Sequence, residues 1–389
     1  MSKVKPWVWW IVFPLVAVLS GLLTSRYMTT SDRAAPASAR HETPATDAPS
    51  QTPPPSAPPS LAARLELLAL LRGREFAELT RRVESEQAAF EADPGREFPT
   101  NQMWDTFAPS DPSLAPALAA WVEAVDSYAP RVALGLYHAR AGGRAIGGNS
   151  PWEASPERDA MREHYERASD NLLRALELHP RLIVAFDALI GIGRARFSAD
   201  ELRGFVDRST QACPSCVIPP AVYLSWLAPR QGGSYQEMER YLADLEPRMK
   251  QYPRLAVLRG FAASDRAASA AERKDYESAV RLYDEALGYG DYWVYRHFRG
   301  KALAELGRFE EALADHEYWL AHGTRSAEAL LWKALTLGRM DRFAEGRKAI
   351  DLARRLDPGD DDLARAASWL DEAGSVSYTH LTLPTILRV

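Results

Sequence analysis

Cys213 and Cys216 enclose Pro214 and Ser215, the spacing at which paired thiols exchange disulfides. That chemistry needs a thiolate stabilised at the N-terminus of a helix that follows a strand. Here the motif lies between helical stretches, with Pro219 and Pro220 close behind, so an inter-helix turn is expected. In an oxidising compartment the pair is expected to close as a tight, reducible disulfide, Cys213–Cys216. A zinc site would need two further ligands, and no Cys or His pair stands nearby in sequence. His316-Glu317 with His322 suggests a metalloprotease helix, but the two histidines are six positions apart where a shared face requires four. Gly142-Gly143-Arg144-Ala145-Ile146-Gly147-Gly148 lacks the Lys-Ser/Thr of a phosphate loop and is expected to be a flexible inter-helix loop. No catalytic residue, metal or cofactor is expected.

The elements that hold these residues are helical. From Leu61 onward Leu65, Leu68, Phe76, Leu79, Val83 and Phe90 fall at three- and four-residue steps, broken at Gly73. No convincing alternating strand pattern occurs. The 389 residues are 46% hydrophobic and 25% charged, which excludes wholesale disorder. A net charge of −5 with basic residues scattered among acids argues against a nucleic-acid partner. The tryptophans, among them Trp121, Trp152, Trp226, Trp293, Trp332 and Trp369, are spread about one per hairpin, which suits core packing.

Three segments flank the helical part. Trp7 to Leu23 is uncharged and apolar, and at about 1.5 Å per residue it just reaches the lower limit of a bilayer span. Tryptophans at its start and Tyr27 beyond its end match interfacial belts, so residues 7–27 are expected to be a transmembrane signal anchor. The competing reading, a cleaved signal peptide, suffers because no small-x-small site directly follows. Lys3 and Lys5 put residues 1–6 in the cytoplasm and the remainder in the periplasm, a single pass through the inner membrane. Residues 28–60, rich in Pro, Ala, Ser and Thr, form a disordered spacer. The tail at 376–389 breaks the helical pattern and resembles a translated sequencing-library adapter, so natural sequence is expected to end near Ser375.

Self-comparison then reveals a repeat. Lys274-Asp275-Tyr276-Glu277-Ser278-Ala279 recurs as Gly307-Arg308-Phe309-Glu310-Glu311-Ala312 and as Asp341-Arg342-Phe343-Ala344-Glu345-Gly346. The aromatic residues, Tyr276, Phe309 and Phe343, are 33 and 34 residues apart. Together with Gly300, the large Tyr283, His316 and Ile350, and Pro358, this spacing resembles the tetratricopeptide family. The middle unit departs from the pattern at Trp319, where a small residue is usual. Residues 61–251 also resemble a bacterial domain-of-unknown-function family of tetratricopeptide-like proteins. The match rests on Trp152-Glu153-Ala154, Arg167-Ala168, Leu178-His179-Pro180 and Leu227-Ala228-Pro229-Arg230 through Ser234. That family supplies no activity.

The resemblance implies an all-α, right-handed solenoid of helical hairpins, with tetratricopeptide-like helices over 61–251 and repeats over 252–375. One hairpin cannot cover its own apolar stripe, so neighbours stack and the stack curves. By resemblance, the first helix of each pair lines the inner surface and offers Ser264, His297, Lys301, Leu331 and Arg339 to a protein or peptide partner. The expectation is a membrane-anchored binding scaffold of the bacterial cell envelope and no enzyme. The alternative is a thiol-redox or other enzyme using Cys213 and Cys216.

Overall fold

The computed structural model describes residues 60–146 and 154–375. The anchor expected at 7–27, the cytoplasmic residues before it, the spacer up to residue 59 and the adapter-like tail at 376–389 lie outside the described residues. Among the described residues every element is helical, and no helix is long and apolar enough to cross a membrane.

The first half comprises α1 (Leu61–Arg72), α2 (Phe76–Ala92), α3 (Glu97–Asp105), α4 (Leu114–Ala124), α5 (Tyr128–Ile146) and α6 (Pro156–Leu178). It continues with α7 (Ile183–Ile192), α8 (Ala199–Ala212), α9 (Ile218–Leu227) and α10 (Tyr235–Gln251). Side-chain caps set several starts: the Ser60 hydroxyl accepts from the Ala63 amide at 3.1 Å, and Ser198 and Glu201 form a reciprocal capping box. Ser234 accepts from the Glu237 amide at 3.2 Å and opens α10.

The glycine-rich stretch is not a loop over its first residues. Gly142, Gly143 and Arg144 lie inside α5, which packs along α6. The reason is close approach: a Cβ on Gly142 would sit 2.5 Å from Tyr165 Cε1, so only glycine lets the two helices meet there.

The second half holds three stacked pairs. These are α11 (Phe261–Glu272) with α12 (Tyr276–Leu287), α13 (Trp293–Glu305) with α14 (Phe309–His322), and α15 (Ser326–Arg339) with α16 (Phe343–Leu356). The terminal α17 (Asp361–Ser375) lies on the last pair, with Trp369 and Leu370 buried in its core. Each pair is joined by the same turn, whose central residue is left-handed: Lys274 at φ 62°, Gly307 at 75° and Asp341 at 59°. The next residue's amide reaches back to the helix, as in Arg308 N to Leu303 O at 2.9 Å. Arg74, at φ 58°, makes this turn between α1 and α2, with Glu75 N to Leu70 O also at 2.9 Å. The first two helices therefore repeat the hairpin geometry without its small-residue signature, because Leu79 stands where Ala279 and Ala312 stand.

The stack does not remain an open arc. One continuous core runs from Leu67 to Ala329, and the N-terminal helices return to the third pair. Asp105 accepts from the Arg325 amide at 2.8 Å and from Arg64 at 3.2 Å, and Arg64 also bonds Ser326. The Ser110 amide donates to Asp357 at 2.7 Å. The bonds of Asp105 to Arg325, Arg64 to Ser326 and Ser110 to Asp357 each join residues more than two hundred positions apart.

Candidate binding groove

The inner faces of α11, α13 and α15 enclose a groove of about 160 Å³. Its residues follow the repeat register: Ala268, Lys301 and Leu335 are successive equivalents, and so are Glu272 and Glu305 one turn later. Phe298, Leu331 and Trp332 give it an apolar wall, whereas Tyr276 and Tyr283 enter from α12. The returning N-terminal half brings Ser110 and Arg140 to the groove, where they meet the segment that carries Asp357, Asp360 and Asp362.

The five residues expected to meet a partner are distributed unevenly. Lys301 and Leu331 line the groove. Arg339 stands at its margin, bonded to Glu305 at 3.0 Å and lying 5.0 Å over the Phe309 ring. His297 is buried, stacked on Trp319 at 3.8 Å, with Nε2 3.9 Å from Glu328. Ser264 is half-buried on α11, one helical turn short of Ala268. Close helix approach carries the pair behind this wall: a Cβ on Gly300 would lie 2.8 Å from His316 Cε1, a ring that is itself fully buried.

Glu328, Arg325, Arg140, Ser110 and the aspartates at 357 and 360 were not legible as site residues. The repeat offset applied to Lys301 would have found Ala268 and Leu335. No periodic signal marks residues brought in from another part of the chain.

The electrostatics centre on Glu328. Arg325 pairs with it at 2.5 Å and Lys301 at 3.6 Å. Burial pushes the Glu328 carboxyl up, but Arg325, Lys301 and Arg140 outweigh it and hold the group below the usual range. Lys301 stands 4.4 Å from the Trp332 ring, and burial brings its amine down to about 8 despite Glu328. Burial, and then the neighbouring Asp360, push Asp357 up to about 6.

Cys213 and Cys216 do not line this groove and are joined as a disulfide, 4% and 1% exposed. The amides that open α9, Val217 and Ile218, donate to the Glu97 carboxylate at 2.7–2.9 Å. The helix end that could favour a thiolate thus already holds an anion. His316 is enclosed in the core, and His322 bonds the Tyr318 carbonyl at 3.0 Å. Among the described residues no cluster of three or more His, Cys, Asp or Glu could hold a metal ion. Trp121, Trp226, Trp293 and Trp369 are buried, whereas Trp332 faces the groove.

No family model matches the sequence, and no curated protein does. Solved structures with a similar trace include the APC/C hetero-tetramer Cut9–Hcn1, at 12% identity and a TM-score of 0.30, covering 75% of this chain and 59% of that one. The P58(IPK) TPR domain is 11% identical with a TM-score of 0.31, covering 82% of this chain and 99% of that one. Yeast Tom70 is 13% identical with a TM-score of 0.31, covering 81% of this chain and 78% of that one.

Proposed function

We propose that this chain is a scaffold that holds a segment of a partner protein in the groove between α11, α13 and α15. One observation carries the reading: an indented surface of about 160 Å³ lined by apolar and aromatic side chains beside charged ones, built from the repeat register. Such a surface offers anchors for side chains and a polar rim for orientation. Tethering to the inner membrane, with the helices on the periplasmic side of a bacterial envelope, is the second part of the proposal. Its support is the apolar run and flanking charges of the first 27 residues and the proline-rich spacer after them.

The redox alternative requires thiols that a substrate can reach, and both sulfurs are enclosed.

A photo-crosslinking amino acid placed at Ala327, on the groove wall, should capture a discrete partner in cells, whereas the same probe at the exposed Glu310 should not. Identical capture at both positions would contradict the groove reading. Protease accessibility of the helical part in spheroplasts tests the periplasmic placement, and protection from the outside would contradict it.

A further inference from the structure

The groove's charges are mostly spoken for by the protein itself. Glu272 pairs with Arg230 at 2.9 Å, Glu305 with Arg339, Glu328 with Arg325 and Lys301, and Asp362 with Arg365. Two carboxylates remain. Asp357 is 6% exposed, lines the groove, and accepts one hydrogen bond, from the Ser110 amide to Oδ1. Its Oδ2 has no hydrogen-bond partner, and no cation lies within ion-pair distance, among the described residues. Asp360, half-buried beside it, accepts the Asp362 and Leu363 amides at the start of α17 through Oδ1 and likewise has no ion pair there.

Arg140, which lines the same groove, and Arg144 act on Asp357 only from beyond ion-pair distance, and a buried carboxylate without a paired cation is costly, a cost that falls when a cation reaches it. Both carboxyls are raised above the ordinary aspartate range, first by burial, and on Asp357 the like charge of Asp360 acts more strongly than Arg140 or Arg144 singly. The Trp332 and Leu335 side chains lie along the same groove. Its chemistry is thus an anionic end next to an aromatic and aliphatic wall.

We propose that the Asp357–Asp360 end of the groove receives the positively charged side chain, arginine or lysine, of the docked peptide, whose neighbouring apolar residue lies against Trp332. This deepens the scaffold reading and rests on it. Charge-assisted hydrogen bonds to two carboxylates would favour the planar guanidinium of arginine over the ammonium of lysine.

The test uses the full chain and fluorescein-labelled nonapeptides of one leucine- and serine-containing scaffold, with Arg, Lys, citrulline or Glu at the centre, read by fluorescence anisotropy. The arginine peptide should bind at least about tenfold more tightly than its citrulline counterpart, with the glutamate peptide weakest. The preference should disappear in the double variant Asp357→Asn, Asp360→Asn, which keeps an acceptor for the Ser110 amide and for the start of α17. A thermal melt matching the parent chain shows that this variant is folded. Equal affinity for the arginine and citrulline peptides, or a preference for glutamate, overturns this inference and leaves the groove reading standing. Binding of none of the peptides, with the chain folded, overturns both.

Discussion

His316 shows most clearly what this core tolerates at the scale of one residue. Its ring is fully buried, and neither nitrogen has a hydrogen-bond partner among the described residues. Burial drops its pKa from 6.5 to about 3, so the folded chain keeps it neutral while the unfolded chain protonates it between those values. The unfolded state then binds more protons, and stability falls as pH drops below about 6.5. His316→Leu removes two polar atoms that are buried without partners, each worth about 1–3 kcal/mol of desolvation. The variant is expected to be at least as stable as the parent at pH 7 and to lose less stability on acidification, measured by urea unfolding from pH 7 to pH 4. A parallel acid limb in parent and variant would contradict this account. The sequence revealed His316 as the large residue of a repeat, and six-residue spacing from His322 excluded metal binding; its lack of partners needed coordinates.

The hairpin turn is the informative element. Lys274, Asp341 and Arg74 adopt a left-handed backbone that costs a residue with a Cβ roughly 1–2 kcal/mol, whereas Gly307 occupies it without that cost. Lys274→Gly should therefore raise stability by about 0.5–1 kcal/mol, and Gly307→Ala should lower it by about 1 kcal/mol, in chemical denaturation. Changes of the opposite sign at both positions would remove the turn from the explanation. Three of these turns were legible because an aromatic residue follows each one at a fixed offset. At the fourth, Arg74, the break at Gly73 was legible but its likeness to the repeat turn was not, because the small residue expected three positions after Phe76 is Leu79. The helical course through Gly142 was missed for a related reason: glycine read along the chain suggests a loop, and only Tyr165 on the next helix explains it.

At the scale of the whole molecule the returning N-terminal half adds Ser110 and Arg140 to a groove that the repeats build. Asp105 is the hinge of that closure, since it holds both the buried Arg64 and the amide that begins α15. Asp105→Ala leaves both without this acceptor and should cost about 2–4 kcal/mol. Hydrogen exchange should speed up first at Arg325 to Ala329, before α11 and α12 respond. Uniform loss of protection would mean that closure and stack are one cooperative unit. The stacking of pairs was legible from period and hydrophobic pattern, but the closure was not, because contacts between residues 105 and 325 leave no trace in any local window.

The direct test of the groove as the working surface is hydrogen exchange on the purified chain with and without its crosslink-identified partner. Slowed exchange should fall on α13, α15 and the start of α17, leaving the outer faces of α12, α14 and α16 unchanged. Protection confined to those outer helices would contradict it.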